Sequence, residues 1–424
     1  MRFHWGRFHL SFPRSSSQAH PAALTGTLPK TRRWLAGAAL LTGLVALSAC
    51  APQASGPSYA PAPTAGLPTL PPPPPRSKVA VLLPLTGQNA ALGQSLLNAA
   101  QLALFEQGEP GFEFLPRDTG GTAAGAAEAA RAAMAEGARV IVGPLTAQET
   151  AAVASPARAA GVPMLPFTND GSQAAQQVWP LGITPAQQVR RVVAAANAQG
   201  VRRFALAAPN GALGRQMAEA LRGAASDLGL PAPVIETYPA AAAPGVVAVE
   251  VARRIGATDP DAPAESRTEM LLLGESGARA RDFAAGLASA GAAMPPLRLA
   301  GHALWGHDES MGQQPALAGA WFPGPDPAAR GHFDSRYEAA FGERPARVVG
   351  VAYDAAALAA RALRNQPPGA AAQMPLGEVV LGADGALRLN PGGQVQRALA
   401  VYAIAPGAPP GVAAPAELPG TAGF

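Results

Sequence analysis

The sequence predicts an α/β protein of two lobes, each a parallel sheet flanked by helices, standing behind a leader and a proline-rich tether. Three observations carry this prediction. From Lys78 onward, short apolar runs alternate with Ala-rich stretches of helical length; runs buried on both faces and separated by helices are what βαβ units with a parallel sheet produce. Gly108, Gly137, Gly161, Gly200, Gly229 and Gly291 each close a helical stretch just before the next run, where a chain leaving a helix commonly turns through a left-handed residue. The units extend over residues 77–406, which is more chain than one hydrophobic core comfortably serves.

The first element is a leader. All six Lys and Arg of residues 1–49 (Arg2, Arg7, Arg14, Lys30, Arg32, Arg33) stand without an acid, so from position 50 on there are 26 basic against 28 acidic residues. The overall charge of +4 therefore belongs to the leader, and no nucleic-acid surface is implied. The apolar stretch 34–49 is shorter than the ~20 residues of a membrane-spanning helix. It ends in Leu47-Ser48-Ala49 before Cys50, the chain's single Cys. This resembles the lipobox of bacterial lipoproteins, and the resemblance implies cleavage before Cys50, diacylation of that Cys and a membrane anchor; the other reading is an ordinary secretory leader. By the same resemblance, Ala51 in place of an Asp implies the periplasmic face of the outer membrane of a Gram-negative bacterium. Residues 1–29 are long for a basic head and no Met occurs between 1 and 134, so a start inside this stretch at a non-AUG codon is the expectation.

Residues 50–76 come next, with ten Pro in 51–76 and Arg76 as the only charge there. Such a stretch favours polyproline II, and at ~3.1 Å per residue it reaches on the order of 80 Å. It reads as a spacer, with a proline-rich ligand for a partner's groove as the alternative. Strands are then expected at 79–83, 112–115, 140–142, 162–165, 204–206, 234–235, 270–273 and 297–299, and helices at 92–107, 122–136, 148–160, 187–199, 213–228 and 278–290. The first lobe is assigned to about 77–196 plus about 325–365, where 337–341 and 348–363 read as returning helices. The second is assigned to about 197–324 plus about 366–406. Within 377–404, apolar runs around a Gly-Ala-Asp-Gly turn suggest a hairpin or small antiparallel strands, and 407–424 is expected to be a disordered tail. The Gly- and Pro-rich run 306–327 reads as irregular. The aromatics near it, Trp305, Trp321 and Phe322, form either an exposed patch or a buried plug.

Four motifs in order now support a resemblance. Val79-Ala80-Val81-Leu82-Leu83-Pro84-Leu85-Thr86-Gly87, Val142-Gly143-Pro144-Leu145-Thr146, Pro166-Phe167-Thr168-Asn169 and Pro209-Asn210-Gly211-Ala212-Leu213-Gly214 resemble the strand–loop signatures of type I periplasmic binding proteins, the Leu/Ile/Val-binding kind. Ala99-Ala100-Gln101-Leu102-Ala103-Leu104-Phe105, Arg117-Asp118-Thr119-Gly120-Gly121-Thr122 and Asn169-Asp170 are similar to its lipoprotein branch of penicillin-binding protein activators. That likeness implies a non-enzymatic lipoprotein whose partner is a peptidoglycan synthase. Known activators carry a helical-repeat domain ahead of this fold, and here only the tether precedes it. In open parallel sheets the ligand crevice lies at the carboxyl ends of the strands, so the candidate cleft comprises Thr86, Gly87, Thr146, Ala147, Phe167, Thr168, Asn169, Leu213, Glu275, Ser276 and Trp305. Thr146 and Thr168 either donate to a ligand or cap helices and finish turns, and Phe167 is expected to supply an apolar wall. Leu213 falls where amino-acid binders of the family stack a Tyr, and Gly301-His302-Ala303-Leu304-Trp305 offers no carboxylate for an ammonium group.

Catalytic signatures are missing from the sequence. Lysine occurs only at 30 and 78, so there is no Ser-x-x-Lys site, and neither Gly-x-Gly nor Gly-Lys occurs. His302, His307 and His332 make no zinc motif or triad and read as surface or loop imidazoles. Asp259, Asp261 and Glu265 read as a solvated loop. No catalytic residue, metal or cofactor is assigned. The leading reading is a tethered regulator of peptidoglycan synthesis; the alternative is the solute receptor of an ABC importer for an amino acid, a peptide or a related small molecule.

Overall fold

Valines and leucines without a polar interruption need cover on both faces, and the helices supply it. The computed structural model describes residues 76–420 apart from 108–110, 260, 262, 264, 265 and 368; the leader, Cys50 and all of the tether but Arg76 lie outside the described residues. In the first lobe β1 (Ser77–Leu83), β2 (Phe112–Asp118), β3 (Ala138–Val142) and β4 (Met164–Leu165) alternate with α1 (Ala90–Gln107), α2 (Ala123–Ala135) and α3 (Ala147–Ala159). The four strands pair in parallel in the order β2-β1-β3-β4. Every residue from Val79 to Leu83 is buried.

The second lobe takes α4 (Pro185–Ala198), β5 (Phe204–Pro209), α5 (Ala212–Asp227), β6 (Val234–Tyr238), α6 (Pro244–Arg254), β7 (Met270–Leu273), α7 (Gly277–Ser289), β8 (Arg298–Ala300) and β9 (Trp321–Gly324). The chain then returns to the first lobe as α8 (Pro327–Phe341), α9 (Gly350–Leu363), β10 (Val379–Gly382), β11 (Gly385–Leu389) and β12 (Val395–Arg397), and ends in the second as β13 (Leu399–Ala403) and β14 (Gly411–Glu417). The second sheet runs β14-β13-β9-β8-β7-β5-β6, parallel from β9 to β6 and antiparallel at β13 and β14. In α9 every residue but Arg361 is buried, as an all-round apolar helix requires.

Four expectations change. Helix α4 belongs to the second lobe, not the first: Val189, Val192 and Val193 pack with Phe204, Leu206 and Met217, so the chain crosses near residue 184, before the helix. The stretch 379–397 belongs to the first lobe, because Val380, Leu387 and Leu389 on the inner face of the small β10–β11–β12 sheet meet the core that holds α9; the last crossing is at Ala398. The tail expected to be disordered contains β14, whose main chain pairs with β13. Within the run read as irregular, Trp321–Gly324 is a strand. It tolerates Pro323 because its pairing with β8 stops at Trp321, leaving no ladder bond there for the missing N–H to make. Trp305, Trp321 and Phe322 are all buried, which decides between patch and plug.

The three crossings are tied to one another by buried charge. Arg397, at the end of β12, puts Nη1 2.8 Å from Asp354 Oδ2 on α9, both side chains being almost wholly buried, and its Nε–H donates to the Leu181 carbonyl near the first crossing at 2.9 Å. Asp354 Oδ1 accepts from the Ala383 amide. One residue on, Asp384 accepts from Arg330 at 3.1 Å and its carbonyl from the Asp326 amide of the second crossing at 2.9 Å. Gly382 lies so close beneath the carboxylate that an added Cβ would come 2.3 Å from Asp354 Oδ1.

Burial pushes the Asp354 carboxyl up to about 6, against the pull of Arg397. An unfolded Asp titrates near ~3.9, so the stability this group contributes is full below about pH 4 and is lost as pH rises through about 6. Urea denaturation of wild type and Asp354→Asn from acid to neutral pH should show their stability difference moving against the wild type as pH rises; a constant difference contradicts the raised carboxyl. Arg397→Ala leaves that carboxylate buried and uncompensated, and at neutral pH should cost about 3–5 kcal/mol by the same measurement.

Candidate functional site

The carboxyl ends of β1, β3 and β4 carry the first-lobe candidates, and those of β5, β7 and β8 the second-lobe ones. The lobes meet here: Gln216 Nε2 on α5 lies 3.4 Å from Asp170 Oδ1 of the first lobe.

In the first lobe the protein consumes its own polar groups. The exposed Thr86 hydroxyl donates to Asp118 Oδ2 at 2.5 Å, while Asp118 Oδ1 accepts from the amides of Leu85, Thr86 and Gly120. The Thr86 hydroxyl, seconded by these amides, holds the Asp118 carboxyl below its ordinary range. Gly87 follows at φ +80, a conformation costly for a side-chain-bearing residue. Thr146 forms a capping box on α3: Oγ1 accepts from the Glu149 amide at 3.2 Å, and Glu149 Oε2 accepts from the Thr146 amide at 2.9 Å and hydroxyl at 2.8 Å. The other oxygen of this buried carboxylate accepts from Thr119 at 2.7 Å. Ala147 opens the helix, half-buried. Thr168 is buried and accepts from the Asp170 amide at 3.1 Å, finishing a turn. Phe167 lies inside the lobe core with Leu165, Trp179 and Leu181, so it makes no open wall, and Asn169 beside it is exposed.

In the second lobe Glu275 is also spoken for. It is buried, takes two bonds from Arg279 at 2.7 and 2.9 Å, and accepts from Tyr238 at 3.1 Å; burial and this neighbouring carboxylate push the Tyr238 phenol far up. Trp305 packs on Gly301, where a Cβ would sit 2.0 Å from the indole, and donates Nε1–H to the Glu275 carbonyl at 2.8 Å. Leu213 is partly exposed at the start of α5. Ser276 occupies the N-cap position of α7 without a capping bond from its side chain, and Gly211 does the same for α5. Two helix N-termini thus bring backbone N–H groups to this end of the sheet, an arrangement that attracts anions and carboxylates.

Sequence reasoning missed Asp118, Thr119 and Glu149, although the Thr-x-x-Glu spacing of Thr146 and Glu149 is a legible capping signature. His302, read as a surface or loop imidazole, lies in a loop but not at the surface. This residue is buried, its Nε2 has no hydrogen-bond partner, and burial lowers its pKa. His307 is lowered too, by burial and then by Arg347 and Arg330. Among the described residues no group of three or more His, Cys, Asp or Glu is placed to hold a metal ion, and no helix is long and apolar enough to cross a membrane.

A two-lobed α/β scaffold with a crevice at its strand ends is a binding-protein architecture. Residues 77–405 match the family described as periplasmic binding protein, and the chain belongs to that family. No curated protein matches the sequence. Among solved structures, a protein from Rhodospirillum rubrum assigned to branched-chain amino acid ABC transport superposes with a TM-score of 0.67 at 20% identity, covering 78% of this chain and 99% of its own. A solute-binding protein of an ABC transporter from R. palustris, in complex with benzoate, gives 0.52 at 18% identity, with coverages of 81% and 97%. Full-length LpoA from Haemophilus influenzae gives 0.61 at 18% identity, covering 80% of this chain and 59% of its own. At such identities the likeness extends to the fold.

Thr146→Ala removes one half of the capping box and should lower stability by about 1 kcal/mol, read as a shift in the urea midpoint; no loss would show that the hydroxyl does not serve the helix.

Proposed function

We propose that this protein is a non-enzymatic periplasmic lipoprotein, anchored through Cys50 to the outer membrane, that activates a peptidoglycan synthase. The observation that carries the reading is the state of the cleft. A receptor for a free amino acid needs a carboxylate to meet the ammonium group and donors to meet the carboxylate. Here Glu275 is already held by Arg279 and Tyr238, and the hydroxyls of Thr86 and Thr146 by Asp118 and Glu149. Stripping a buried carboxylate of its partners to free it for a ligand costs more than the new bonds return. Recognition of another protein by the outer surface asks for no such exchange, and the motif resemblance to penicillin-binding protein activators points the same way.

The second reading, the solute receptor of an ABC importer, is favoured by extent. The transporter-associated proteins from R. rubrum and R. palustris are covered almost end to end by this chain, whereas LpoA is covered over 59% of its length.

Affinity capture of detergent-solubilised membrane synthases on the purified full-length protein, run beside native mass spectrometry, separates the two. Retention of a synthase whose glycan polymerisation rises on adding the protein is the expected result. A stoichiometric small solute with no synthase retained overturns it in favour of the receptor. Radiolabelled palmitate fed to expressing cells should enter the wild type and not Cys50→Ser; equal labelling removes the proposed anchor.

A further inference from the structure

The small sheet of the first lobe runs β10-β11-β12, so β10 is an open edge. Its residues are Val379-Val380-Leu381-Gly382. Val380 packs into the core with Leu387 and Leu389, while Val379 and Leu381 stand on the outer face, 48% and 82% exposed. Charges and prolines are how sheet edges resist pairing with another chain, and three other outer strands have them. Strand β2 carries Pro116 and Arg117, β6 carries Glu236, and β14 carries Pro415 and Glu417. Strand β10 has neither within its span.

The main chain of this edge faces outward. The Ala398 amide donates to the Ala386 carbonyl at 2.8 Å, which turns the polar groups of Ala386 toward β12. Those of Leu387 therefore turn toward β10, where Leu387 lies opposite Val380. By the same alternation, the N–H and C=O groups of Val379 and Leu381 point away from β11 to the open side. An added strand is what such a row of donors and acceptors fits.

The surroundings decide whose strand it is. A proline has no N–H to give, so the chain's own tether, with ten Pro in 51–76, makes a poor addition. Arg388 stands on the same outer face, directly opposite Val379, with no acid partner among the described residues; its Nη1 reaches Gln396 at 3.4 Å. A second copy paired two-fold about Val380 would bring only its own Leu381 and Ala386 into the row of Arg388, and no acid. The apolar surface it would cover, two aliphatic side chains per copy, also falls well short of the roughly 1,000 Å² that a stable dimer needs. A different protein meets neither objection.

We propose that β10 is a docking edge for an extended segment of another protein, free of proline, with apolar side chains at alternate positions and an acid among them. The segment joins the sheet as a further strand. Its main chain bonds to the outward groups of Val379 and Leu381, its apolar residues cover those two side chains, and its acid meets Arg388. Strands lie ~4.8 Å apart, so the residue beside Val379 stands about 10 Å from Arg388, within the joint reach of an arginine and a glutamate. None of the cleft candidates takes part, so the site stands under either reading of the cleft.

Selection of random phage-displayed heptapeptides on the purified full-length protein, followed by fluorescence anisotropy of the enriched peptides, tests this. Peptides of the stated pattern should be enriched. Val379→Pro deletes an N–H that points out of the sheet, and should weaken them by about tenfold with the circular dichroism spectrum unchanged. Leu381→Ser should do the same by its side chain alone, and serves if the proline variant is unstable. Arg388→Glu should shift the preference from a glutamate to a lysine in the peptide, and Val412→Ser, at an exposed position on the edge strand β14, should change nothing. Failure to enrich any peptide, or enriched peptides that bind Val379→Pro and Leu381→Ser as tightly as wild type, overturns the proposal. So does a dimer seen by sedimentation at micromolar concentration and abolished by Leu381→Ser, which gives the edge to a second copy.

Discussion

Two charges removed from water near the strands that join the lobes govern much of this molecule. Asp354 and Arg397 come from different returns of the chain, one from a buried helix and one from the strand that leads back to the second lobe. Neither is tolerable alone in that environment, so each fixes where the other's element must lie. The bond from Arg397 to Leu181 extends the constraint to the first crossing, and Asp384 with Arg330 extends it to the second. A packed aliphatic pair would hold these segments together with less desolvation, but it would not dictate their register so narrowly.

The same economy shapes the crevice. Its polar residues are numerous, yet they are turned inward on one another: Thr86 to Asp118, Thr119 and Thr146 to Glu149, Tyr238 and Arg279 to Glu275. Each of these contacts finishes a loop at a strand end, so the crevice is firmly built while few of its side chains remain available. The family's architecture is kept, with these side chains bonded to one another at the strand ends.

Much of this was readable from the residues. Doubly buried strands such as 79–83 and 270–273 declare themselves by composition, and the helix-ending glycines locate the units between them, because both signals are local. The lobe boundaries were not legible for a corresponding reason. Whether α4 covers the first sheet or the second depends on which valines it meets, and Val189, Val192 and Val193 would suit either. The fate of 379–397 turned on a partner helix far away in sequence, and β14 on a neighbour that a stretch of Ala and Pro gives little hint of. At the crevice, the residues singled out do lie on strand-end loops, but the orientation of their side chains was not legible: Phe167 and Trp305 went to the core, and the acids that engage the threonines lay in stretches read for other reasons.

The late strands β13 and β14 also have a bearing on how the chain comes into being. β13 pairs with β9 and β14 with β13, so until residues 399–417 arrive β9 is a raw edge of the larger sheet, however long its earlier strands have been made. The first lobe waits as well, for α8, α9 and the small sheet that precede them. The first lobe is complete only at residue 397 and the second later still, so a polypeptide emerging from N-terminus to C-terminus stays incompletely folded until these late segments are made, the condition in which a secretory channel can thread it.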